Sequence, residues 1–241
     1  MAKTSSTKAA STKIAKSTGK ATTKSTSKAA ASRREQRRLL HQDLARSQLL
    51  DAAEDVFGRK GFHETTLKEV AELAEFSVGS VYSFFENKDD LFRQIFLRRG
   101  EEWMAGAAEV FGNGADPGAQ LHDLVEFEIG FFRRYPRFGR LFLRYSSATL
   151  PLGDREIDPA VTQRYDEAMR LQADLFRRGQ DSRQLCAGDP EVLSRLLSGI
   201  ISAYQALDPA VMSDEAAPSE RLALDDLHHI VERAFGPSGS R

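Results

Sequence analysis

Apolar side chains recur at intervals of three and four residues along most of the chain from Leu39 onward. This spacing places them on one face of an α-helix, and no alternating run is long enough to indicate a β-strand. Residues 44–60 form the first such helix, which Gly61 ends. Two short helices joined by a three-residue turn are predicted within residues 65–85, and a fourth helix opens at Asn87.

Capping residues predict where the helices begin. Thr65 or Thr66 precedes the second helix, and Glu69 completes a capping box with Thr66. Ser77 is placed to cap the third helix. Later starts are predicted by prolines, most of which follow an acidic residue that can serve as N-cap. These starts are Asp116-Pro117, Pro136, Asp158-Pro159, Asp189-Pro190 and Pro218. About nine helices and no sheet follow, which is an all-α fold.

The two short helices form a helix-turn-helix candidate, the motif whose second helix enters the major groove of DNA. The order of residues around them is more specific than the helix pair alone. The informative segments are Leu49-Leu50-Asp51-Ala52-Ala53, Val56-Phe57, Gly61-Phe62, Thr65-Thr66-Leu67-Lys68-Glu69-Val70-Ala71 and Ser77-Val78-Gly79-Ser80-Val81-Tyr82-Ser83-Phe84-Phe85-Glu86-Asn87-Lys88-Asp89-Asp90-Leu91. Over about residues 44–97 the chain therefore resembles the DNA-binding domain of the TetR family of bacterial transcriptional regulators.

The resemblance implies an N-terminal three-helix headpiece that binds DNA and a C-terminal helical domain that binds a ligand and dimerises. It also implies that the third helix enters the major groove, that Tyr82 reaches the DNA backbone and that Lys88 meets a phosphate. Ser80 and Ser83 are short enough to approach base edges. The predicted DNA-binding residues are Thr66, Lys68, Ser77, Val78, Gly79, Ser80, Tyr82, Ser83 and Lys88.

Some of these residues have alternative interpretations. Tyr82 is otherwise a core tyrosine, and Lys88 is otherwise a solvated lysine at a helix start. Glu75 departs from the family, in which glycine usually occupies this position of the turn. If the backbone requires a positive φ there, a residue other than glycine costs about 1 kcal/mol or more.

Charge is distributed unevenly, although the formal net charge of the 241 residues is only −1. Residues 1–38 carry a net charge of +10, and residues 1–32 have almost no large apolar side chains. Such a segment cannot bury enough surface to offset its ordering entropy, so we expect a disordered Lys/Ala/Ser/Thr-rich basic tail that attracts DNA phosphates. A solubilising linker and an organellar transit peptide are the alternatives. Residues 33–90 hold nine basic against twelve acidic residues.

Beyond the tail, we expect a headpiece at residues 39–90 and a helical ligand-binding and dimerisation domain at residues 91–236. Eight phenylalanines lie between Phe92 and Tyr145. They indicate either a packed helical core or the lining of an apolar ligand cavity. The candidate lining residues are Trp103, Phe127, Phe131, Phe138 and Phe142.

The charge of a ligand is left open by the sequence. Arg137, Arg140 and Arg144 share one helix face, which is either solvated and salt-bridged or suited to an anionic head group. Glu126 and Glu128 favour a cation instead. We therefore expect a small apolar or amphipathic effector of undetermined charge.

The last two long helices, at about residues 190–207 and 218–235, are apolar over a wide arc. Such a helix needs partners on both sides. In the TetR family the corresponding pair forms a four-helix bundle with a second subunit, whereas the alternative is burial within the monomer. The predicted dimer-interface residues are Leu193, Leu197, Ile200, Tyr204, Leu227, Ile230 and Val231.

No constellation of residues points to catalysis. The single cysteine, Cys186, excludes an intramolecular disulfide or thiolate cluster. Among the five histidines only His228 and His229 are neighbours, and adjacent helix positions point apart. We therefore expect no enzymatic activity, no metal and no cofactor. No stretch reaches the roughly 18 apolar residues of a membrane span, so we expect a cytoplasmic, nucleoid-associated protein without a membrane partner.

The combined prediction is a sequence-specific, ligand-responsive repressor that binds double-stranded DNA as a homodimer on a palindromic operator. A homodimer with two headpieces matches half-sites about one helical turn apart. The alternative is an architectural protein whose basic tail coats DNA with little sequence preference.

Overall fold

The computed structural model describes residues 19–145, 158–215 and 222–237, with side chains from residue 34 onward. The described residues form ten helices and no strand, which confirms the all-α prediction. The helices are α1 Gly19–Lys60, α2 Leu67–Leu73, α3 Val78–Phe84, α4 Lys88–Gly112, α5 Pro117–Arg134, α6 Pro136–Tyr145, α7 Pro159–Asp181, α8 Pro190–Leu207, α9 Pro209–Met212 and α10 Leu224–Phe235.

Helix α1 is longer than the sequence predicts, and its N-terminal part lies in a separate contact unit that ends at Arg46. Residues 1–18 of the predicted tail lie outside the described residues, whereas the backbone of residues 19–38 is helical. The side chains of residues 34–44 are all exposed. Over residues 34–44 no tertiary burial therefore supports α1, and an isolated helix is marginal in water.

Within the second unit, from Ser47 onward, the predicted N-caps are present. Thr66, not Thr65, caps α2: its hydroxyl accepts from the Glu69 amide, and the Glu69 carboxylate accepts from the Thr66 amide. Thr65 is buried and donates to the Gly61 carbonyl at 2.7 Å. The other capped helices among those predicted are α3 by Ser77, α4 by Asn87, α5 by Asp116, α7 by Asp158 and α8 by Asp189.

The C-terminal helices differ from the sequence prediction at two points. Pro218 lies outside the described residues, and α10 begins at Leu224 after a non-helical residue 223 that makes no side-chain cap. The prediction of one helix over 218–235 is therefore wrong at its start. The short helix α9 was not predicted, although Asp208-Pro209 repeats the acid–proline signal and Asp208 caps it.

Two apolar clusters fill the second unit. The first combines α2, α3 and the C-terminal part of α1 with α4, α6, the C-terminal end of α5 and Val211 of α9, and it includes Phe57, Val81, Ile95 and Leu141. The second combines α5, α7, α8 and α10. Because α4 runs from the first cluster toward the second, packing continues through the predicted domain boundary at residues 90 and 91. Within the described residues, no helix is both long and apolar enough to cross a membrane.

Candidate DNA-binding surface and ligand pocket

Helix α3 separates an inward face from an outward one. Val81 is fully buried in the first apolar cluster, whereas Tyr82 is 58% exposed. The exposure of Tyr82 argues against a core tyrosine. Ser80 is half-buried, and the predicted DNA-binding residues that are exposed are Thr66, Lys68, Ser77, Val78, Gly79, Tyr82 and Ser83.

The serines of α3 already make hydrogen bonds within the motif. The hydroxyls of Ser77 and Ser80 lie 2.8 Å apart, and the Ser77 hydroxyl accepts from the Ser80 amide. Ser83 donates its hydroxyl to the Ser80 carbonyl at 2.6 Å. Each hydroxyl oxygen keeps acceptor capacity on the exposed side. Their present bonds hold the side chains in place without occupying every polar function.

Lys88 is half-buried, and its ammonium donates to the carbonyls of Phe62 and Thr65 at 3.0 Å each. The same ammonium lies 4.4 Å from the centre of the Phe62 ring. Lys88 therefore stabilises the connection between α1 and α2, a structural role that the sequence did not indicate.

Glu75 adopts a left-handed conformation with φ of 61°. Its amide donates to the Glu72 carbonyl, and the next amide, of Phe76, donates to the Ala71 carbonyl. This pair of bonds is a Schellman motif, in which the left-handed position favours glycine. The departure noted in the sequence is therefore a real backbone requirement, met here by a glutamate.

A cavity of about 720 Å³, including its opening to solvent, lies among α4, α5, α6, α7 and α8. Of the predicted lining residues, Trp103, Phe131, Phe138 and Phe142 line it. Phe127 does not, because its ring packs against Trp103 at 5.8 Å between centroids. The apolar lining missed by the sequence analysis includes Phe96, Phe132, Val161 and Met169.

Polar side chains from three helices, α5, α7 and α8, also line the pocket. Glu128 is 5% exposed and accepts a hydrogen bond from the Gln172 amide at 2.7 Å. Burial raises the pKa of Glu128 from 4.5 to about 8, so its carboxyl is mostly neutral at pH 7. Among the described residues, the Gln172 amide oxygen and both amide atoms of Gln205 are buried without a hydrogen-bond partner. The pocket thus holds unused donors and acceptors.

The arginine face of α6 does not line this pocket. Arg137 donates to Asp55 at 2.6 Å, and Arg140 donates to the Val211 carbonyl at 2.8 Å and to Asp214. These contacts favour the salt-bridged interpretation over an anion site in the cavity.

Arg99 lines the pocket and also contacts the headpiece. Its guanidinium donates twice to Glu54 of α1, at 2.8 and 3.2 Å, and once to Glu102 at 2.6 Å. It also lies 3.7 Å from the centre of the Tyr135 ring. Burial is the largest single influence and lowers the pKa of Arg99, but the bonds and charges of Glu54 and Glu102 together outweigh it, so the net change in pKa is upward. The helical spacing of apolar residues did not predict this ion pair between α4 and α1.

The predicted dimer residues divide into two sets. Most face the chain's own second apolar cluster, which requires correction of the prediction: Leu193, Leu197, Leu227 and Val231 are buried. Ile200 and Tyr204 are half-buried, and Tyr204 donates its hydroxyl to the Ala223 carbonyl. Ile230 is exposed. The exposed apolar residues that the prediction missed on α8 are Val192, Leu196 and Leu207.

The chain is similar in sequence to known bacterial transcriptional regulators. Residues 49–95 match the family described as bacterial regulatory proteins, tetR family. The HTH-type transcriptional regulator RutR of Escherichia coli K12 is 28% identical over 163 residues, which are 68% of this chain and 74% of RutR. The uncharacterized HTH-type transcriptional regulator YfiR of Bacillus subtilis 168 is 46% identical over 89 residues, 36% of this chain and 43% of YfiR.

A solved structure extends the similarity beyond the helix-turn-helix. The crystal structure of a TetR-like transcriptional regulator from Rhodococcus sp. RHA1 matches with a TM-score of 0.59 and 25% identity. The match covers 79% of this chain and 94% of that one. Residues 49–95 thus carry a DNA-binding domain of the TetR type, and these relatives are TetR-family transcriptional regulators, not enzymes.

Proposed function

We propose that this regulator is a ligand-responsive repressor that binds a palindromic operator as a homodimer. The observation that carries the proposal is the sharing of α4 and α6 between the pocket and the first apolar cluster, which contains the helix-turn-helix. A ligand that moves either helix would change the position of α3. Because an operator-bound dimer obstructs transcription, release by the ligand would switch the regulated gene on.

Contacts across α6 support this coupling. Its Phe138 lines the pocket, while its Arg137 bonds to Asp55 of α1. At the end of α6, the Tyr145 hydroxyl accepts from the Phe62 amide at 2.9 Å. Gly58 allows α6 to approach α1 closely, because a Cβ there would lie 2.9 Å from Arg137. A shift of α6 on ligand binding would therefore be transmitted to α1 and the headpiece.

On the DNA side, we propose that α3 lies in the major groove. Tyr82 contacts a backbone phosphate, which positions the helix, and Ser80 and Ser83 read base edges. Thr66, Lys68, Ser77, Val78 and Gly79 are exposed as well and complete the proposed DNA-binding set. Lys88 contributes by holding the α1–α2 connection as well as by its charge. Tyr82→Phe should therefore weaken binding to all duplexes, whereas Ser80→Ala and Ser83→Ala should change the preferred base.

For the homodimer, the supporting feature is an exposed apolar surface on α8 and α10. Val192 and Leu196 are 54% exposed and Ile230 is 53% exposed. Exposed apolar surface of this kind marks an interaction site when it is contiguous. Val192→Asp combined with Leu196→Asp should give monomers by light scattering, while Glu64→Lys, at an exposed position between α1 and α2, should leave the dimer intact.

For the effector, the pocket favours an amphipathic molecule with an uncharged polar end. The aromatic wall fits an apolar body, and the amide of Gln205 offers a donor and an acceptor side by side. An amide, a lactam or a hydroxyl beside a carbonyl would satisfy both atoms. Buried polar groups of this kind discriminate strongly against ligands that leave them unpaired.

The alternative function is an architectural protein, which the charge distribution favours. Residues 1–38 carry +10, whereas residues 33–90 hold more acidic than basic residues. In this case the tail would supply most of the DNA affinity. Its removal would make the slope of log affinity against log salt concentration less negative by about 0.9 for each lost phosphate contact.

Footprinting separates the two functions. The full chain and a chain lacking residues 1–32 would be compared on DNA upstream of the gene, at low and near-physiological salt. A discrete, dyad-symmetric footprint retained by both chains would support the repressor. Diffuse protection that disappears with the tail would support the architectural protein.

A further inference from the structure

Two histidines and a glutamate from different helices meet on the surface of the second unit. His122 and Glu126 lie one turn apart on α5, and His228 projects from α10. One ligand atom from each side chain lies within 4.8 Å of the other two. We infer that His122, Glu126 and His228 form a binding site for a divalent transition-metal ion of the zinc type.

The spacing is close to that of a zinc coordination sphere. His228 Nε2 lies 3.6 Å from Glu126 Oε1. Two ligands of a tetrahedral zinc at the usual bond lengths of about 2.0–2.2 Å are roughly 3.4 Å apart. The two imidazole rings are stacked, with centroids 3.6 Å apart and an interplanar angle of 8°. In this stack the nitrogen lone pairs of the two rings lie in parallel planes, so binding of one ion requires the exposed His122 ring to turn toward His228 and Glu126.

A second observation points to an occupant. Within the described part of the chain, His228 Nε2 is buried and lacks a hydrogen-bond partner, although the side chain as a whole is 14% exposed. A buried polar atom without a partner costs free energy that a bound ion would recover. Imidazole nitrogen and carboxylate oxygen are both donors that zinc accepts.

The site would join α10 to α5. Helix α5 contributes Glu128, Phe131 and Phe132 to the pocket, and α10 carries the exposed Ile230. A metal ion would therefore fix the C-terminal helix against a pocket helix without entering the pocket itself. Three protein ligands leave a fourth position for water or for a group from another molecule.

The test uses untagged full-length protein stripped with a chelator, and zinc as the probe. Competition with a chromogenic chelator should show one zinc per chain. His122→Ala and His228→Ala should each weaken zinc affinity about 100-fold or more, because a lost ligand exceeds the loss known for outer-shell groups. Glu126→Gln should have a smaller effect in the same direction.

Matched controls make the assignment specific. His229→Ala removes the exposed neighbour on the same helix, and Cys186→Ser removes the thiol; neither should change zinc affinity. Cobalt in place of zinc should give visible absorption without a thiolate charge-transfer band, and His228→Ala should abolish it. Circular dichroism would show that the variants are folded.

The inference would be overturned by three results. Absence of saturable zinc binding by the folded wild-type chain would exclude the site. Unchanged affinity in His228→Ala would place the ion elsewhere, and so would loss of binding in His229→Ala. These outcomes do not depend on operator or effector binding.

Discussion

The helix-turn-helix and the ligand pocket differ in whether their polar side chains have hydrogen-bond partners within the chain. At α2 and α3 the hydroxyls of Thr66, Ser77 and Ser83 bond to backbone groups three residues away. In the pocket, the Gln205 amide is buried without a partner among the described residues. The first surface completes its hydrogen bonds locally, and the second leaves them open.

This difference determines where function costs stability. An exposed polar group bonds to water until DNA replaces it. The DNA-binding surface therefore costs the fold little stability when no DNA is bound. A buried polar group without a partner costs about 1–3 kcal/mol. The pocket therefore holds a local instability that a complementary ligand removes, and ligand binding should stabilise the folded chain.

The largest expected effect is at the link between the two regions. Arg99→Ala should lower the free energy of unfolding by about 3 kcal/mol, because it removes two of the three arginine bonds to the buried Glu54 carboxylate and leaves only that of Arg98. Urea unfolding measures this change. Arg177→Ala is the matched control, since its pairing with Asp174 is exposed and should contribute less than about 1 kcal/mol. Similar small losses in both variants would contradict a structural link through Arg99.

The second effect concerns pH. The pKa of Glu128 is about 8 in the folded chain, against 4.5 as its ordinary value. Its protonated form therefore contributes stability that is fully present below pH 4.5 and is lost as the pH rises to about 8. Between pH 5 and 7.5 the wild-type free energy of unfolding should fall, relative to Glu128→Gln, by about 1.4 kcal/mol per pH unit.

Urea unfolding at several pH values, with a metal chelator present, measures that slope. Glu126→Gln, at an exposed position of the same helix, should keep the wild-type slope. Parallel curves for wild type and Glu128→Gln would show that the Glu128 carboxyl is not neutral in the folded chain.

Within the pocket, Gln205→Leu should raise the free energy of unfolding by about 1.5 kcal/mol, because it replaces an unpaired buried amide with apolar surface. The same variant should bind the effector more weakly. Gln163→Leu, at an exposed position of α7, should change neither. A loss of stability in Gln205→Leu would mean that the amide has hydrogen-bond partners in the folded chain. This result would contradict the contrast between the pocket and the helix-turn-helix.

At the helix-turn-helix, removal of a polar side chain should destabilise the fold instead of stabilising it. Thr66→Ala should lower the free energy of unfolding by about 1 kcal/mol, because the capping box of α2 is lost. Thr66→Ser retains the hydroxyl and should stay close to wild type. Equal losses for both variants would assign the effect to the Thr66 methyl group instead of the cap.

The smallest effect is expected at the turn. Glu75→Gly should raise the free energy of unfolding by about 0.7 kcal/mol, because glycine adopts the left-handed conformation without a Cβ clash. Glu75→Ala should not, since it keeps the Cβ. Thermal unfolding of the three proteins measures this difference, and a stabilised alanine variant would point to the charge of Glu75 instead.

The helix starts were predictable because their signals are local. Thr66, Ser77 and Asn87 each accept from an amide three residues ahead, so neighbouring residues alone suffice to recognise the cap. The aromatic segment also predicted four of the pocket residues. Phe127 was misplaced because helical spacing gives the apolar face but not which neighbour that face meets.

The dimer prediction shows the same limit. Leu193 and Val192 are adjacent on α8, yet Leu193 is buried in the chain's own core and Val192 is exposed. Both are apolar, so composition cannot separate them. Only the packing of α8 against α5, α7 and α10 decides which residue is available to a second chain.

The sequence by itself determined the all-α fold, the helix-turn-helix and its capping residues, since these depend on periodicity and on bonds between near neighbours. Tertiary structure alone decided the pairing of Arg99 with Glu54, the burial of Glu128 and the meeting of His122 with His228. These contacts join residues far apart in the chain. Their energies depend on distance and burial in space, which the order of residues does not contain.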